Sequence, residues 1–174
     1  EHSEDAQSIL LVPSKEKAEE VKEEIQKQLL VSAKKEVLKN SIIKNSCLVV
    51  YQNLDQAFDI INYYAPEHLQ IFSENLSQEL LFEKIKNAGA IFMGSYTPVA
   101  LGDYFAGPNH TLPTSGTARF ASPLGVYDFV KYTSVVHYSK EALLKAQEHV
   151  AIIAETEGFF EHAKSVIIRS SSKN

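Results

Sequence analysis

Short apolar runs alternate with longer charged stretches through the first half of the chain, and each kind of segment predicts a different element. Ser8-Ile9-Leu10-Leu11-Val12, closed by Pro13, reads as a buried strand. Ser14 then caps a charged helix in which Ala18, Val21, Ile25 and Leu29 recur at helical spacing. Glu16, Glu19 and Glu20 stand in its first turns, where the helix dipole favours acids. Cys47-Leu48-Val49-Val50-Tyr51 predicts a second buried strand, with Cys47 as one of its buried apolar side chains. Asn53, with Gln56 three residues on, opens a helix carrying Ala57, Ile60 and Ile61. His68 to Phe72 predicts a third strand, Leu76 to Asn87 a helix ended by Gly89, and Ala90 to Met93 a fourth strand. This order is that of an α/β domain with a mainly parallel sheet, whose ligand sites lie beyond the carboxyl ends of the strands.

The pattern then stops. Five of the seven glycines and four of the six prolines fall between Gly94 and Gly125, which predicts a long irregular loop. Phe105, Leu112, Phe120 and Leu124 within it are anchors that a disordered tract would lack. A loop of this length in a compact domain carries function, and this one contains Asp103 and His110. Beyond it, the β-branched run Tyr132 to Tyr138 predicts a strand. Ser139 caps a helix striped by Leu143, Ala146, Val150 and Ile153, and Gly158 breaks it before a last helical piece reaching about Arg169. The division expected is therefore 1–124, an incomplete Rossmann-like α/β domain, and 125–174, a small and mostly helical tail too short to fold well alone.

Composition narrows the partners. A net charge of −5 with no basic block argues against nucleic acid. No apolar stretch is long enough to span a bilayer, and the polar start is no signal peptide, so a cytoplasmic location is expected. A single cysteine excludes an internal disulfide and a cysteine-based zinc cluster. The only methionine is Met93, from which Glu1 is expected to be a cut inside a longer protein.

Several residues could carry chemistry. Glu67 and His68 are adjacent titratable groups at a strand entrance, able to divide base work between an imidazole and a carboxylate. Neighbours on a strand face opposite ways, so the residues alone favour a surface carboxylate beside a hydrogen-bonded histidine. Asp103 and His110 read equally as ligand contacts or as a turn cap and a pocket filler. Glu157 and His162 could share a site only through the bend at Gly158. His2, His137 and His149 have no local context, although His2 lies close to the first strand. No adjacent metal motif, dinucleotide fingerprint or phosphate loop is present, so a zinc site would have to be assembled from distant imidazoles and carboxylates.

One constellation is specific. Ala65-Pro66-Glu67-His68-Leu69, Gly102-Asp103-Tyr104, Gly107 to Thr114, Gly116-Thr117-Ala118-Arg119-Phe120, Val126-Tyr127-Asp128-Phe129 and Glu157-Gly158-Phe159 with His162 follow one another in the order found in histidinol dehydrogenases. The chain resembles the C-terminal part of that family along its whole length, and Glu1 to Gln7 resembles the family's metal-binding segment. The resemblance implies oxidation of L-histidinol to L-histidine through the aldehyde, with two NAD and a zinc ion. It implies His2, Asp103 and His162 as zinc ligands, His68 as the base for the alcohol, and Glu67 as the base that activates water. His68, Asp103, His110, Glu157 and His162 would contact the substrate. It also implies a homodimer in which the tail crosses to the other subunit. A fourth zinc ligand, a glutamine, and the NAD-binding segment belong to the family's preceding portion, so this chain alone is expected to be inactive. Two other readings remain: a catalytically inert dimerisation module, and a metal-dependent hydrolase using Glu67, which the missing local metal motif disfavours.

Overall fold

The computed structural model describes residues 3–73 and 75–171, with the side chains of residues 170 and 171 left aside. His2 lies outside the described residues. The chain parts into two compact units, Glu1–Phe129 and Val130–Asn174.

The first unit follows the expected alternation: β1 (Ile9–Val12), α1 (Lys15–Val31), α2 (Lys35–Asn45), β2 (Cys47–Val50), α3 (Leu54–Tyr64), β3 (His68–Ile71), α4 (Gln78–Lys84), β4 (Ala90–Met93) and α5 (Val99–Tyr104). Two parallel pairs form its sheets, β1 with β2 and β3 with β4. The caps are those the sequence signals. Ser14 Oγ accepts the amide of Lys17 at 3.2 Å. Asn53 Oδ1 accepts that of Gln56 at 2.9 Å, while Gln56 Oε1 reaches back past the cap to accept the amide of Gln52 at 2.7 Å.

α2 has no counterpart in the sequence reading. It is held by the start of the chain: Ser41 is buried with its hydroxyl donating to the Ala6 carbonyl at 2.7 Å, and Asn45 Nδ2 donates to the Glu4 carbonyl at 2.8 Å. Such long-range polar contacts leave no periodic trace.

α4 is shorter than the predicted span Leu76 to Asn87. Asn62 on α3 donates to the Lys84 carbonyl at 2.8 Å and accepts the amides of Lys86 at 2.7 Å and Asn87 at 3.2 Å. Those amides are thereby withdrawn from the helix, which stops at Lys84.

The core of this unit lies on one face of the β3–β4 pair. Phe58, Leu81 and Ile85 are buried there, with Leu69, Ile71, Ile91 and Met93 packed against them. Cys47 is exposed, contrary to the buried position expected for it, because the β1–β2 pair is only partly covered.

The predicted loop is not wholly irregular. Pro98 starts the short helix α5, which carries Asp103, and 3-10 turns form at Thr117–Arg119 and Val126–Phe129. The second unit consists of α6 (Lys140–Thr156) and α7 (Phe160–Ser171), broken at Gly158 and packed through the buried small residues Ala154 and Ala163. No strand forms over Tyr132 to Tyr138. Among the described residues that run has no partner to complete a ladder, and Val135 is 88% exposed.

Candidate functional site

Strand register divides β3 and β4 into two faces. His68 pairs with Ala90 and Gln70 with Phe92, so these four share the face opposite the core. Phe92 is the centre of that face. It is 7% exposed, and its ring centroid lies 6.0 Å from that of His68. α5 rests on it through Gly102: a β-carbon there would fall 2.5 Å from Phe92 Cε1 and 2.8 Å from Cζ. Only a glycine lets the helix approach this closely, and the next residue is Asp103.

The consequence is a half-buried imidazole–carboxylate pair. His68 Nε2 lies 3.8 Å from Asp103 Oδ1, with the side chains 28% and 24% exposed. That separation exceeds a hydrogen bond, so the two are neighbours rather than bonded partners. His68 Nε2 is itself buried without a hydrogen-bond partner. A buried ring nitrogen left unpaired is costly in a structural role and available to a ligand.

Glu67 stands one residue before β3, half-buried, with its carbonyl accepting the amide of Ala90 at 2.9 Å. Gly89 makes that approach possible, since a β-carbon there would lie 2.6 Å from the Glu67 carbonyl oxygen and 3.2 Å from Pro113 Cδ. The glycine- and proline-rich segment thus returns to the entrance of β3, where Pro113 is buried. The pair lies over the sheet face at the amino end of β3, although the fold type suggests the carboxyl ends.

Of the other sequence candidates, His110 is exposed beside a turn in which Asn109 Oδ1 accepts the amide of Thr111 at 2.6 Å. It does not fill a pocket, one of the two readings left open for it. Glu157 and His162 lie in the second unit, both exposed; His162 contacts Phe159 with ring centroids 5.5 Å apart. His137 and His149 are exposed. The structure thus unites His68 with Asp103. Among the described residues, which leave out His2, no three His, Cys, Asp or Glu side chains converge to hold a metal ion. Phe92 was not singled out from the sequence, and Gly102 was read only as part of the motif that contains Asp103. Gly102 adjoins Asp103, but its need for space arises from a residue of another element.

The chain is similar to known proteins along its length. The family model for histidinol dehydrogenase matches residues 1–170. A histidinol dehydrogenase of Oceanobacillus iheyensis is 45% identical over 174 residues, covering 100% of this chain and 40% of that protein. One of Caldanaerobacter subterraneus is 51% identical over 169 residues, covering 97% of this chain and 39% of that protein. The crystal structure of histidinol dehydrogenase from Elizabethkingia anophelis superposes with a TM-score of 0.91 at 30% identity, over 97% of this chain and 38% of that one.

Fold and pair together define an α/β protein with an imidazole–carboxylate site set against a parallel sheet. The chain belongs to the histidinol dehydrogenase family. It spans about 40% of the length of the curated relatives it matches. Among the described residues no helix is long and apolar enough to cross a membrane.

Proposed function

We propose that this chain supplies the catalytic bases of a histidinol dehydrogenase, completing with the remainder of such an enzyme the oxidation of L-histidinol to L-histidine in histidine biosynthesis. The observation that supports this most is the unpartnered, buried Nε2 of His68 beside Asp103, in a chain that matches the family over residues 1–170.

In this reading His68 takes the hydroxyl proton of the alcohol at Nε2 as the carbon–hydrogen bond breaks. Glu67 then accepts a proton from the water that adds to the aldehyde, and loss of a second hydride from that hydrate leaves the carboxylate. NAD, bound by a segment outside this chain, supplies the hydride acceptor in both steps. His110, Glu157 and His162 would contact the substrate alongside His68 and Asp103.

Zinc is proposed for His2, Asp103 and His162 on the family resemblance and on their donor chemistry, two imidazoles and a carboxylate. Because the family's fourth ligand, a glutamine, is not in this chain, weak zinc binding is expected from it alone. A homodimer with tail exchange is proposed for the same enzyme, supported by apolar residues left uncovered on the second unit, such as Ile153 and Phe160 at 61% and 67% exposure. A cytoplasmic location belongs to the same reading.

The test is a calorimetric titration of metal-free protein with zinc, with and without L-histidinol, beside Asp103→Ala. Binding that strengthens with histidinol and disappears in the variant is the expected result. Clear NAD reduction by the purified chain alone would overturn the division of labour. Binding unaffected by Asp103→Ala would remove this site from the reaction.

A further inference from the structure

The chain enters β3 through a strained turn. α3 ends at Tyr64, and Ala65, which caps it, takes the left-handed conformation with φ 53° and ψ 65°. Ala65 is also buried, at 1% exposure. A residue with a β-carbon adopts this region at an energetic cost, and such strain persists only where the surroundings over-determine it. Pro66 follows with its φ fixed by the ring, so the turn at Ala65 sets the direction in which Glu67 and His68 leave. The first rungs of the β3–β4 pair come next. Gly89 donates to the Pro66 carbonyl at 2.8 Å and Ala90 to that of Glu67 at 2.9 Å.

What holds this turn comes from a remote segment. α3 has no basic residue in its last turn to meet its unpaired carbonyls. Arg119 supplies the cation from 56 residues along the chain: its Nη2 donates to the Tyr63 carbonyl, and its Nη1 donates to the Gly116 carbonyl at 2.8 Å. One planar guanidinium thus clasps the end of α3 to the turn at residues 114–119. That turn is shaped for the contact. Ser115 and Gly116 are both left-handed, at φ 53° and 77°, and Thr117 Oγ1 donates to the Thr114 carbonyl at 2.7 Å. A β-carbon on Gly116 would collide with Arg119 Nη1 and lie 3.6 Å from the Tyr64 carbonyl oxygen, so glycine lets the turn sit on the helix end. We propose that Arg119 is a positioning residue for Glu67 and His68, locking through its two-carbonyl clasp the left-handed turn by which both enter the site; this rests on the reading of those two residues as the catalytic bases. Lysine would carry the charge but could not bridge two carbonyls in fixed directions.

Amide exchange followed by NMR on the full chain is the test. In Arg119→Ala the amides of Gly89 and Ala90 should exchange about tenfold faster, while Gly94, which donates to the Ile71 carbonyl at the far end of the pair, keeps its rate. At fixed pH the His68 ring signals should shift as the imidazole moves against the Phe92 ring, whose centroid lies 6.0 Å away. Those of His149, in the second unit, should stay in place. Arg119→Lys should behave as Arg119→Ala does. Ala65→Gly removes the strain, because glycine takes the left-handed region freely, so on that background Arg119→Ala should change the Gly89 and Ala90 rates by less than about twofold.

Unchanged rates at Gly89 and Ala90, or a His68 signal that does not move, would overturn the proposal. Equal acceleration at Gly89, Ala90 and Gly94 would overturn it too, because Arg119 would then only stabilise the unit. So would full rescue in Arg119→Lys, which makes charge sufficient, or an undiminished effect of Arg119→Ala on the Ala65→Gly background. Should Arg119→Ala not fold, Arg119→Lys carries the same comparison. A local effect in a chain that binds no histidinol would leave the clasp in place and count against the proposed function instead.

Discussion

Gly102 and Phe92 show how one missing methyl group can set a site. The helix bearing Asp103 sits on the Phe92 ring at a distance no β-carbon allows, and the same ring borders His68. Gly102→Ala is expected to destabilise the first unit by about 1–3 kcal/mol through overpacking, read by urea denaturation. Phe92→Leu removes the ring atoms that the new methyl meets. The double variant should therefore lose less than the sum of the single losses, with a coupling of about 0.5–3 kcal/mol. Strict additivity would mean that the two residues do not meet. Asn62 is a second residue with effects beyond its own helix. Replacing it by leucine leaves the part-buried amide of Asn87 and carbonyl of Lys84 without their partner, at a cost of about 1–3 kcal/mol, and turns the exposed amide of Lys86 to water. Amide exchange at Lys86 and Asn87 should speed up before the rest of the unit opens.

At the scale of elements, the helices advertise their starts more clearly than their ends. Glu16, Glu79 and Glu141 each occupy the first turn of a helix. Each carboxyl is held below the ordinary glutamate value of 4.5, first by a hydrogen bond from its own backbone amide and then by the capping serine hydroxyl. A lowered folded-state value means that these carboxylates add stability above pH 4.5, which is lost as the pH falls through the lowered value. Helicity by circular dichroism should therefore decline on acidification below that point. The triple variant Glu16→Gln, Glu79→Gln, Glu141→Gln should start lower at neutral pH and decline less. An identical acid profile would show that other carboxylates govern the loss. The ends are set otherwise: α4 stops where Asn62 takes over its amides, a contact made 22 to 25 residues away in sequence.

At the scale of the molecule, the second unit buries little: α6 and α7 meet through Ala154 and Ala163, while large apolar side chains stay exposed. A unit of this kind gains stability from association. If the tail pairs with a second copy, the thermal midpoint of the chain should rise with protein concentration, and truncation after Phe129 should abolish that rise. A midpoint independent of concentration would count against the proposed homodimer.

Much of this was legible in the residues because the information is local. Alternating apolar runs and capped helical stripes determined the β and α order of the first unit apart from α2 and α5, since burial period and cap chemistry act over a few residues. The motifs around Glu67-His68, Asp103 and His110 determined the family. Other features needed tertiary structure because they depend on partners far along the chain. Ser41 and Asn45 hold α2 to the N-terminal segment, a link with no periodicity to betray it. Tyr132 to Tyr138 has the composition of a strand but no ladder partner among the described residues, so composition alone misleads. Cys47 has the sequence of a core strand and the exposure of an edge, because cover is supplied by packing and not by the strand itself. The pairing of His68 with Asp103, to the exclusion of the nearer His110, was likewise decided by register and by Phe92 beneath Gly102. Sequence determines what each segment can bury; only the fold decides what arrives to cover it.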